Sequence, residues 1–207
     1  MKKKNTFIDI ITAVEYLILS GYSSKSRMTA IGTSAGGLAL GSVLNARPDL
    51  FRAVVLRVPF LDPLSSMLNP SIPLTRLEYD EWGNPKESEA AYRYIESYAP
   101  YDNIPTNLAT LNESISTGNE QNITHPAPSI LVTAGMRDQR VAYWQPLKWV
   151  ARMRNRLSDL YCTQGDHAGV LLMKINKDRD HFGRNDQLGE IEELAFELAF
   201  VLTQIEK

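Results

Sequence analysis

The sequence predicts an α/β fold with a mainly parallel sheet and flanking helices, and three observations point to it. Short apolar runs at 28–31, 53–58, 128–135 and 170–175 have the length and composition of buried strands. Longer segments with helical spacing of their apolar residues lie between these runs. Since neighbouring parallel strands need a crossover connection, such alternation favours a parallel sheet. The 207 residues, 43% of them apolar, suffice for one domain with its own core.

The first elements follow from apolar spacing and from the residues that end them. Apolar residues recur at i, i+3, i+4 and i+7 over 6–20, which predicts a helix, and Gly21 is a natural stop for it. The strand at 28–31 leads through a turn into a second helix that reaches about Asn45. A second buried strand follows at 53–58.

The rest of the chain contains a long excursion and a repeat of the same alternation. Prolines interrupt 61–105, and such excursions beyond a strand are where α/β proteins build substrate pockets. The polar segment 106–127 predicts a surface loop inserted in a single domain that spans 1–207. The other predicted elements are helices over 88–98, 144–157 and 187–203 and the strands at 128–135 and 170–175.

Composition excludes several classes of partner. With 22 basic and 24 acidic residues the formal charge is −2, so the chain lacks the basic surface of a nucleic-acid-binding protein. No stretch is long and apolar enough to span a bilayer, and the N-terminus lacks the apolar core of a signal peptide. The single cysteine, Cys162, excludes an internal disulfide and fits a reducing compartment. We therefore expect a cytoplasmic protein without nucleic-acid or membrane partners.

Residues 32–36 read Gly-Thr-Ser-Ala-Gly between a predicted strand and a predicted helix, which is the context of a nucleophile elbow. Such a turn would lift the hydroxyl of Ser34 clear of the sheet. Gly32 and Gly36 are expected to remove Cβ atoms where strand and helix would collide. The backbone N–H of Ala35, at the start of the helix, is a candidate donor to an oxyanion. The alternative is an ordinary turn in which Ser34 caps the helix.

A catalytic serine needs a base, and the base needs an acid to fix its tautomer. His125 and His167 each precede a strand and therefore fall at the wrong edge of a parallel sheet. His181 and Asp138 each follow a strand, on the same side as Ser34. Taken singly, His181 fits a surface histidine and Asp138 a turn or capping acid. Their joint placement predicts the triad Ser34, Asp138 and His181, a mechanism that needs no metal or cofactor.

Several longer stretches carry a resemblance to a known family. They are 5–7, 21–22, 32–37, 58–62, 71–75, 100–103, 138–152 and, most specific, Glu-Trp-Gly-Asn-Pro at 81–85. With these residues the chain resembles the catalytic domain of the prolyl oligopeptidase family of serine peptidases, and within it the oligopeptidase B branch. The resemblance extends over nearly the whole chain except 106–127, and it implies an α/β-hydrolase fold.

The resemblance also implies an endopeptidase that cleaves short basic peptides after Arg or Lys. Glu78 and Asp80 match acidic substrate-binding positions of that branch, and Phe60 matches an aromatic residue that would flank the basic side chain. A buried guanidinium favours paired carboxylates and an aromatic face, so these residue types fit the implied role. Without the resemblance, Glu78 and Asp80 would be interpreted as a solvated acidic turn.

The sequence departs from the family pattern in two respects. His181 is flanked by Asp180 and Phe182 where the family has glycines, and the bulky Phe182 is expected to alter the approach to Ser34. Relative to the family the chain begins in mid-domain, which predicts a partial domain without the upstream strands. The strand at 28–31 would then expose an edge that favours self-association. If an oxyanion donor were lost with those upstream strands, the rate would fall by about 100- to 1000-fold. An esterase-like hydrolase and an inactive remnant or interaction module therefore stay open as alternatives.

Overall fold

Four mostly apolar runs form one parallel sheet in the computed structural model, which describes residues 2–106, 127–162, 168–183 and 187–206. The strands are β1 (Thr29–Thr33), β2 (Ala53–Arg57), β3 (Ser129–Gly135) and β4 (Leu171–Asn176), in the spatial order β1-β2-β3-β4. All three pairings are parallel, with Thr29 opposite Ala53 and Ala53 opposite Ser129. The prediction of a mainly parallel α/β sheet is confirmed. All but the two end residues of the predicted loop at 106–127 lie outside the described residues. His125 and His167 lie outside them as well.

Helices connect the strands and cover both faces of the sheet. They are α1 (Lys4–Leu19), α2 (Ala35–Ala46), α3 (Pro63–Met67), α4 (Tyr79–Trp82), α5 (Glu89–Glu96), α6 (Trp144–Arg156), α7 (Ser158–Tyr161) and α8 (Gln187–Ile205). Single 3₁₀ turns occupy Pro48–Leu50 and Thr75–Glu78. The predicted helices agree with these bounds to within two residues. In the excursion at 61–105, where periodicity is weak, the structure adds the short helices α3 and α4.

The two faces of the sheet carry cores of unequal size. On one face, α1, α2 and α6 enclose a large cluster that includes the fully buried Leu38, Leu56, Ile130 and Trp149. On the other face α8 is the one helix packed among the described residues, and the buried cluster there consists of Ala53, Val55, Leu131, Phe200 and Val201. The large core fixes the strand and helix that carry Ser34.

β1 is an edge strand among the strands described. It pairs with β2 alone, and its Ile31 is 46% exposed. These are the features that favour association through an unpaired edge, and self-association itself stays a prediction. Within the described residues, no helix combines the length and the apolar character needed to cross a membrane.

Candidate active site

The three predicted triad residues all follow the carboxyl end of a strand. Ser34 comes directly after β1, Asp138 follows the end of β3, and His181 follows the end of β4. Because the strands are parallel, their carboxyl ends meet at one edge of the sheet, where α/β proteins build their sites. β2 separates β1 from β3, so the strands that carry Ser34 and Asp138 lie about 10 Å apart. A third group must therefore bridge the two side chains.

Ser34 occupies a strained backbone conformation that the surrounding backbone stabilises. Its φ of 55° and ψ of −116° are rare for a residue with a side chain, and such strain typically costs about 1–3 kcal/mol. The Ser34 N–H donates to the carbonyl of Arg57 at 2.9 Å, and its carbonyl accepts from Leu38 and Phe60 at 3.2 and 3.0 Å. The side chain makes no capping hydrogen bond to α2. The capping alternative is therefore wrong, and the geometry is that of a nucleophile elbow.

Two glycines let the elbow fold this tightly, although one of them is not the residue expected. A Cβ on Gly32 would lie 2.6 Å from the carbonyl oxygen of Gly36, so β1 and α2 approach too closely for any side chain there. A Cβ on Gly36 itself would meet nothing within 4 Å, so the prediction that Gly36 relieves a collision is wrong. Gly37 has that role instead, because its Cβ would lie 2.4 Å from the Cβ of Pro59. The collision is with the chain after β2.

Ala35 is the first residue of α2 and is exposed. The N–H groups in the first turn of a helix have no acceptor within that helix. The backbone N–H of Ala35 is therefore a donor next to Ser34 that has no acceptor within α2. Its role toward an oxyanion stays a prediction.

Asp138 and His181 form a buried pair. The imidazole Nδ1 lies 2.8 Å from Oδ2 of Asp138, and His181 is only 9% exposed. The other carboxylate oxygen accepts the backbone N–H groups of Arg140 and Val141 at 2.8 and 2.9 Å. The interpretation of His181 as a surface histidine is therefore wrong. Asp138 does brace a turn, as the alternative had it, and the same carboxylate also orients the imidazole.

The segment that carries His181 is drawn across the end of β3 by close backbone contacts. A Cβ on Gly135 would lie 2.3 Å from the carbonyl oxygen of Arg179, so only glycine permits this approach. The same carbonyl accepts the N–H of Arg137 at 3.1 Å. The Arg179 guanidinium is buried and pairs with Glu193 of α8 at 3.0 Å. These contacts place His181 beside Asp138.

The structure therefore brings Asp138 and His181 together and leaves the contact with Ser34 as a prediction. Within the described part of the chain, no side chain forms a hydrogen bond with the Ser34 hydroxyl. With Nδ1 engaged by Asp138, the imidazole has its other nitrogen available for a second partner. In the same described ranges, no group of three or more His, Cys, Asp or Glu side chains is arranged to hold a metal ion.

Two of the three predicted substrate residues, Phe60 and Glu78, meet around Trp82. Phe60 is 7% exposed, and its ring packs against the Trp82 ring with centroids 5.5 Å apart. The indole N–H of Trp82 donates to Oε2 of Glu78 at 2.8 Å. Asp80 is exposed on α4 and has no hydrogen bond or ion pair with a described residue. Trp82 therefore joins Phe60 to Glu78, while Asp80 stands apart from that contact.

Comparison with known families accounts for this combination of an elbow and a buried Asp-His pair. A sequence profile of the prolyl oligopeptidase family matches residues 1–207. The chain belongs to the prolyl oligopeptidase family. The resemblance found in the sequence is thereby confirmed.

Relatives and solved structures in this family agree with the assignment. Protease 2 of Moraxella lacunata is 39% identical over 203 residues, which are 98% of this chain and 26% of that protein. Oligopeptidase B from Leishmania major superposes with a TM-score of 0.81 at 37% identity, over 99% of this chain and 24% of that one. Oligopeptidase B from Trypanosoma brucei, with covalently bound antipain, gives 0.78 at 36% identity, over 99% of this chain and 25% of that one. The chain spans about a quarter of the length of these relatives.

Some residues of the candidate site were not singled out from the sequence. The sequence pattern indicates Gly135 only as the end of a strand, and Trp82 only as part of the Glu-Trp-Gly-Asn-Pro stretch. Arg140 was missed, although its spacing of two residues from Asp138 is the signal of a side chain at the same edge of the sheet. Its guanidinium carbon lies 4.8 Å from the ring centre of Phe182, next to His181.

Proposed function

We propose that the chain is the catalytic part of a serine endopeptidase that hydrolyses short basic peptides after Arg or Lys. One observation carries the proposal. The buried 2.8 Å contact between His181 and Asp138 lies at the same sheet edge as Ser34, whose backbone is held in the conformation of a nucleophile elbow. Membership of the prolyl oligopeptidase family and similarity to proteins named oligopeptidase B support the reaction class. The free, exposed thiol of Cys162 is compatible with a cytoplasmic location.

In the proposed reaction His181 first accepts a proton from Ser34 and then donates it to the leaving amine. Its free nitrogen takes the proton from the Ser34 hydroxyl as the oxygen attacks the carbonyl carbon of the scissile bond. The carbonyl oxygen becomes negatively charged and accepts a hydrogen bond from the backbone N–H of Ala35. The imidazolium then gives its proton to the departing amine as the C–N bond breaks. Water repeats the sequence on the acyl-enzyme and releases the acid.

Asp138 acts through its position and charge throughout these steps. Its Oδ2 holds the proton-bearing Nδ1 of His181, so the free nitrogen is the one turned away from the carboxylate. Because the carboxylate stays ionised, it stabilises the imidazolium that forms when Ser34 attacks. The two N–H groups that bind its other oxygen keep the carboxylate in one orientation.

The preference for Arg or Lys is assigned to Glu78, Asp80 and Phe60. A guanidinium or ammonium group gains charge-assisted hydrogen bonds from carboxylates and a favourable contact with an aromatic face. Glu78 is held by the indole N–H of Trp82, which keeps one of its oxygens in a fixed place. Asp80 is free to turn toward a bound cation. The proposal therefore expects Glu78 to contribute pre-organisation and Asp80 to contribute charge.

Hydrolysis by the full chain tests the proposal against the two alternatives. The substrates are a chromogenic amide ending in Arg, the same amide ending in Leu, and a short acyl ester, each measured with the wild-type chain and with Ser34→Ala. We expect the Arg amide to be cleaved much faster than the Leu amide, and Ser34→Ala to abolish cleavage. Cleavage of the ester alone would support an esterase-like hydrolase. Cleavage of none of the three would support an inactive remnant.

A further inference from the structure

Phe182 is a large exposed aromatic side chain that adjoins the imidazole of His181. Phe182 is 76% exposed, and its ring meets the imidazole edge to face, with centroids 5.5 Å apart and planes at 88°. A single exposed aromatic side chain is common on protein surfaces and needs no function by itself. What distinguishes Phe182 is how firmly its surroundings hold it.

The backbone of Phe182 is fixed by a turn that Asp180 organises. Oδ1 of Asp180 accepts the N–H of Phe182 at 2.8 Å and that of Gly183 at 3.2 Å. Gly183 has a φ of 128°, a conformation that residues with a side chain rarely adopt. The turn therefore presents Phe182 in one direction.

The ring itself is held by Arg140. The guanidinium carbon lies 4.8 Å from the ring centre, within the range of a cation–π contact. The backbone N–H of Arg140 donates to Oδ1 of Asp138, so the same carboxylate anchors both the imidazole and the turn that carries Arg140. Arg140 and His181 leave most of Phe182 open to solvent, next to the imidazole expected to exchange protons with the substrate.

The chemistry of the reaction indicates which part of a peptide this ring meets. The imidazole must reach both the Ser34 oxygen and the nitrogen of the leaving amine, because it carries the proton from one to the other. A side chain packed against the imidazole therefore lies close to the leaving group. We propose that Phe182 is a specificity-determining residue whose exposed ring binds the first substrate residue after the scissile bond and favours an aromatic side chain there. This inference rests on the proposed peptidase function.

Binding to the full chain with Ser34→Ala, which cannot acylate, tests the contact without turnover. The probes are acetyl-Ala-Arg-Phe-amide and acetyl-Ala-Arg-Gly-amide, which differ only after the expected cleavage point. With Phe182 present we expect the first peptide to bind roughly fivefold to tenfold more tightly in isothermal titration, the effect of one aromatic contact. In Phe182→Gly the ratio of the two dissociation constants should fall to about one, and Phe182→Tyr should restore it.

A control variant and a turnover experiment separate the possible outcomes. Tyr22 is 77% exposed and lies in the connection between α1 and the amino end of β1, whereas Phe182 follows the carboxyl end of β4. Tyr22→Gly should therefore keep the ratio. If Phe182 only shields the Asp-His pair, both peptides weaken together in Phe182→Gly and the inference is overturned. Equal binding of the two peptides, or binding of neither, also overturns it.

The proposed function has its own readout, namely cleavage of quenched peptides with the same two sequences by the chain that retains Ser34. Cleavage after Arg at equal KM for both peptides leaves the function standing and removes the inference. Absence of cleavage together with the expected binding ratio removes the function and keeps the contact.

Discussion

Ser34 is positioned by its own backbone, whereas His181 is positioned by side-chain contacts and by a close approach of its loop to the end of β3. We call the first region, Ser34 with β1 and α2, the nucleophile half. The second, Asp138 with residues 177–183, is the imidazole half. The nucleophile half rests on the large core and on Gly32 and Gly37, where neighbouring atoms leave no room for a Cβ. The imidazole half depends on one carboxylate, one ion pair and the smaller core under α8.

The difference teaches where each half is vulnerable. A strained serine held by backbone hydrogen bonds keeps its geometry when surface charges change, but the surrounding chain does not accept an added Cβ at Gly32 or Gly37. An imidazole held by a carboxylate loses its orientation when the accepting oxygen is removed or when the loop that carries the imidazole shifts. Substitutions in the two halves should therefore differ in kind, with loss of stability in the first and loss of rate in the second.

The largest effect is expected from Asp138→Asn. The amide would present an N–H to Nδ1 of His181 and select the tautomer that cannot accept the serine proton. We expect kcat on the Arg amide to fall by about 10⁴-fold, by analogy with the same change in a trypsin-type triad. Asp9→Asn, which changes an exposed aspartate of α1, is the matched control and should keep its rate. Equal kcat values for the two variants would remove Asp138 from the mechanism.

Gly135→Ala tests whether the His181 segment depends on its contact with β3. The new Cβ would meet the Arg179 carbonyl at 2.3 Å, so the backbone of residues 177–183 has to move. A misplacement of about 1 Å at a catalytic group can cost on the order of 100-fold in rate. We expect kcat to fall by that order, with a smaller change in the urea midpoint of unfolding. An unchanged rate would mean that the contact does not position His181.

Gly32→Ala and Gly36→Ala form a matched pair within the nucleophile half. The first places a Cβ 2.6 Å from a backbone oxygen and should destabilise the chain by about 1–3 kcal/mol. The second meets nothing within 4 Å and replaces a helical glycine, so it should be neutral or stabilising by up to about 1 kcal/mol. Urea unfolding measures both values. Equal losses in the two variants would contradict the glycine assignment.

Ile31→Lys tests the predicted self-association through β1. Ile31 is 46% exposed on this edge strand, and a lysine there would oppose pairing of two copies. We expect the wild-type chain to form dimers or larger species in sedimentation velocity at micromolar concentrations, and Ile31→Lys to shift them toward monomer. Leu172→Lys, 43% exposed on β4 at the other edge, should have the smaller effect. A wild-type chain that sediments as a monomer throughout would contradict the prediction.

The smallest effect concerns Asp102, in the segment that packs behind α2. Burial raises the pKa of Asp102, the nearby Asp62 adds to this, and its Oδ2 has no hydrogen-bond partner among the described residues. A raised folded-state pKa means that ionisation disfavours the folded state, so this carboxyl destabilises the chain as the pH rises through that pKa. We expect Asp102→Asn to raise Tm at pH 7 by a few degrees. The gain should vanish below about pH 4, where the carboxyl is protonated in both states.

Asp49 is the control of opposite sign for Asp102. Burial by itself raises the pKa of Asp49, but hydrogen bonds from Arg47 and Lys25 outweigh it and the pKa is lowered. Ionised Asp49 therefore stabilises the fold above the ordinary carboxyl range, and that contribution is lost as the pH falls through the lowered pKa. Asp49→Asn should lower Tm at pH 7. Shifts of the same sign in both variants would contradict the electrostatic account.

The sequence was sufficient for those parts of the site that depend on local pattern and strand direction. The elbow at Ser34 follows from a short motif between a strand and a helix, and parallel strands place Asp138 and His181 at the same edge. Gly135 and Trp82 could not be assigned roles, because their contacts with Arg179 and Phe60 arise from packing between distant parts of the chain. The hydrogen bond of Trp82 to Glu78 joins residues four apart, a helical spacing that the sequence does contain. Gly36 was given the role of Gly37 because the motif does not reveal that Pro59 is the opposing residue.

The central claim is that His181, oriented by Asp138, activates Ser34. The rate at which a fluorophosphonate labels Ser34 measures this activation directly in the full chain and needs no knowledge of the substrate. We predict that His181→Ala lowers the labelling rate by at least about 100-fold, the usual contribution of a general base, with the urea midpoint little changed. Labelling at the same rate with and without the imidazole would contradict the account.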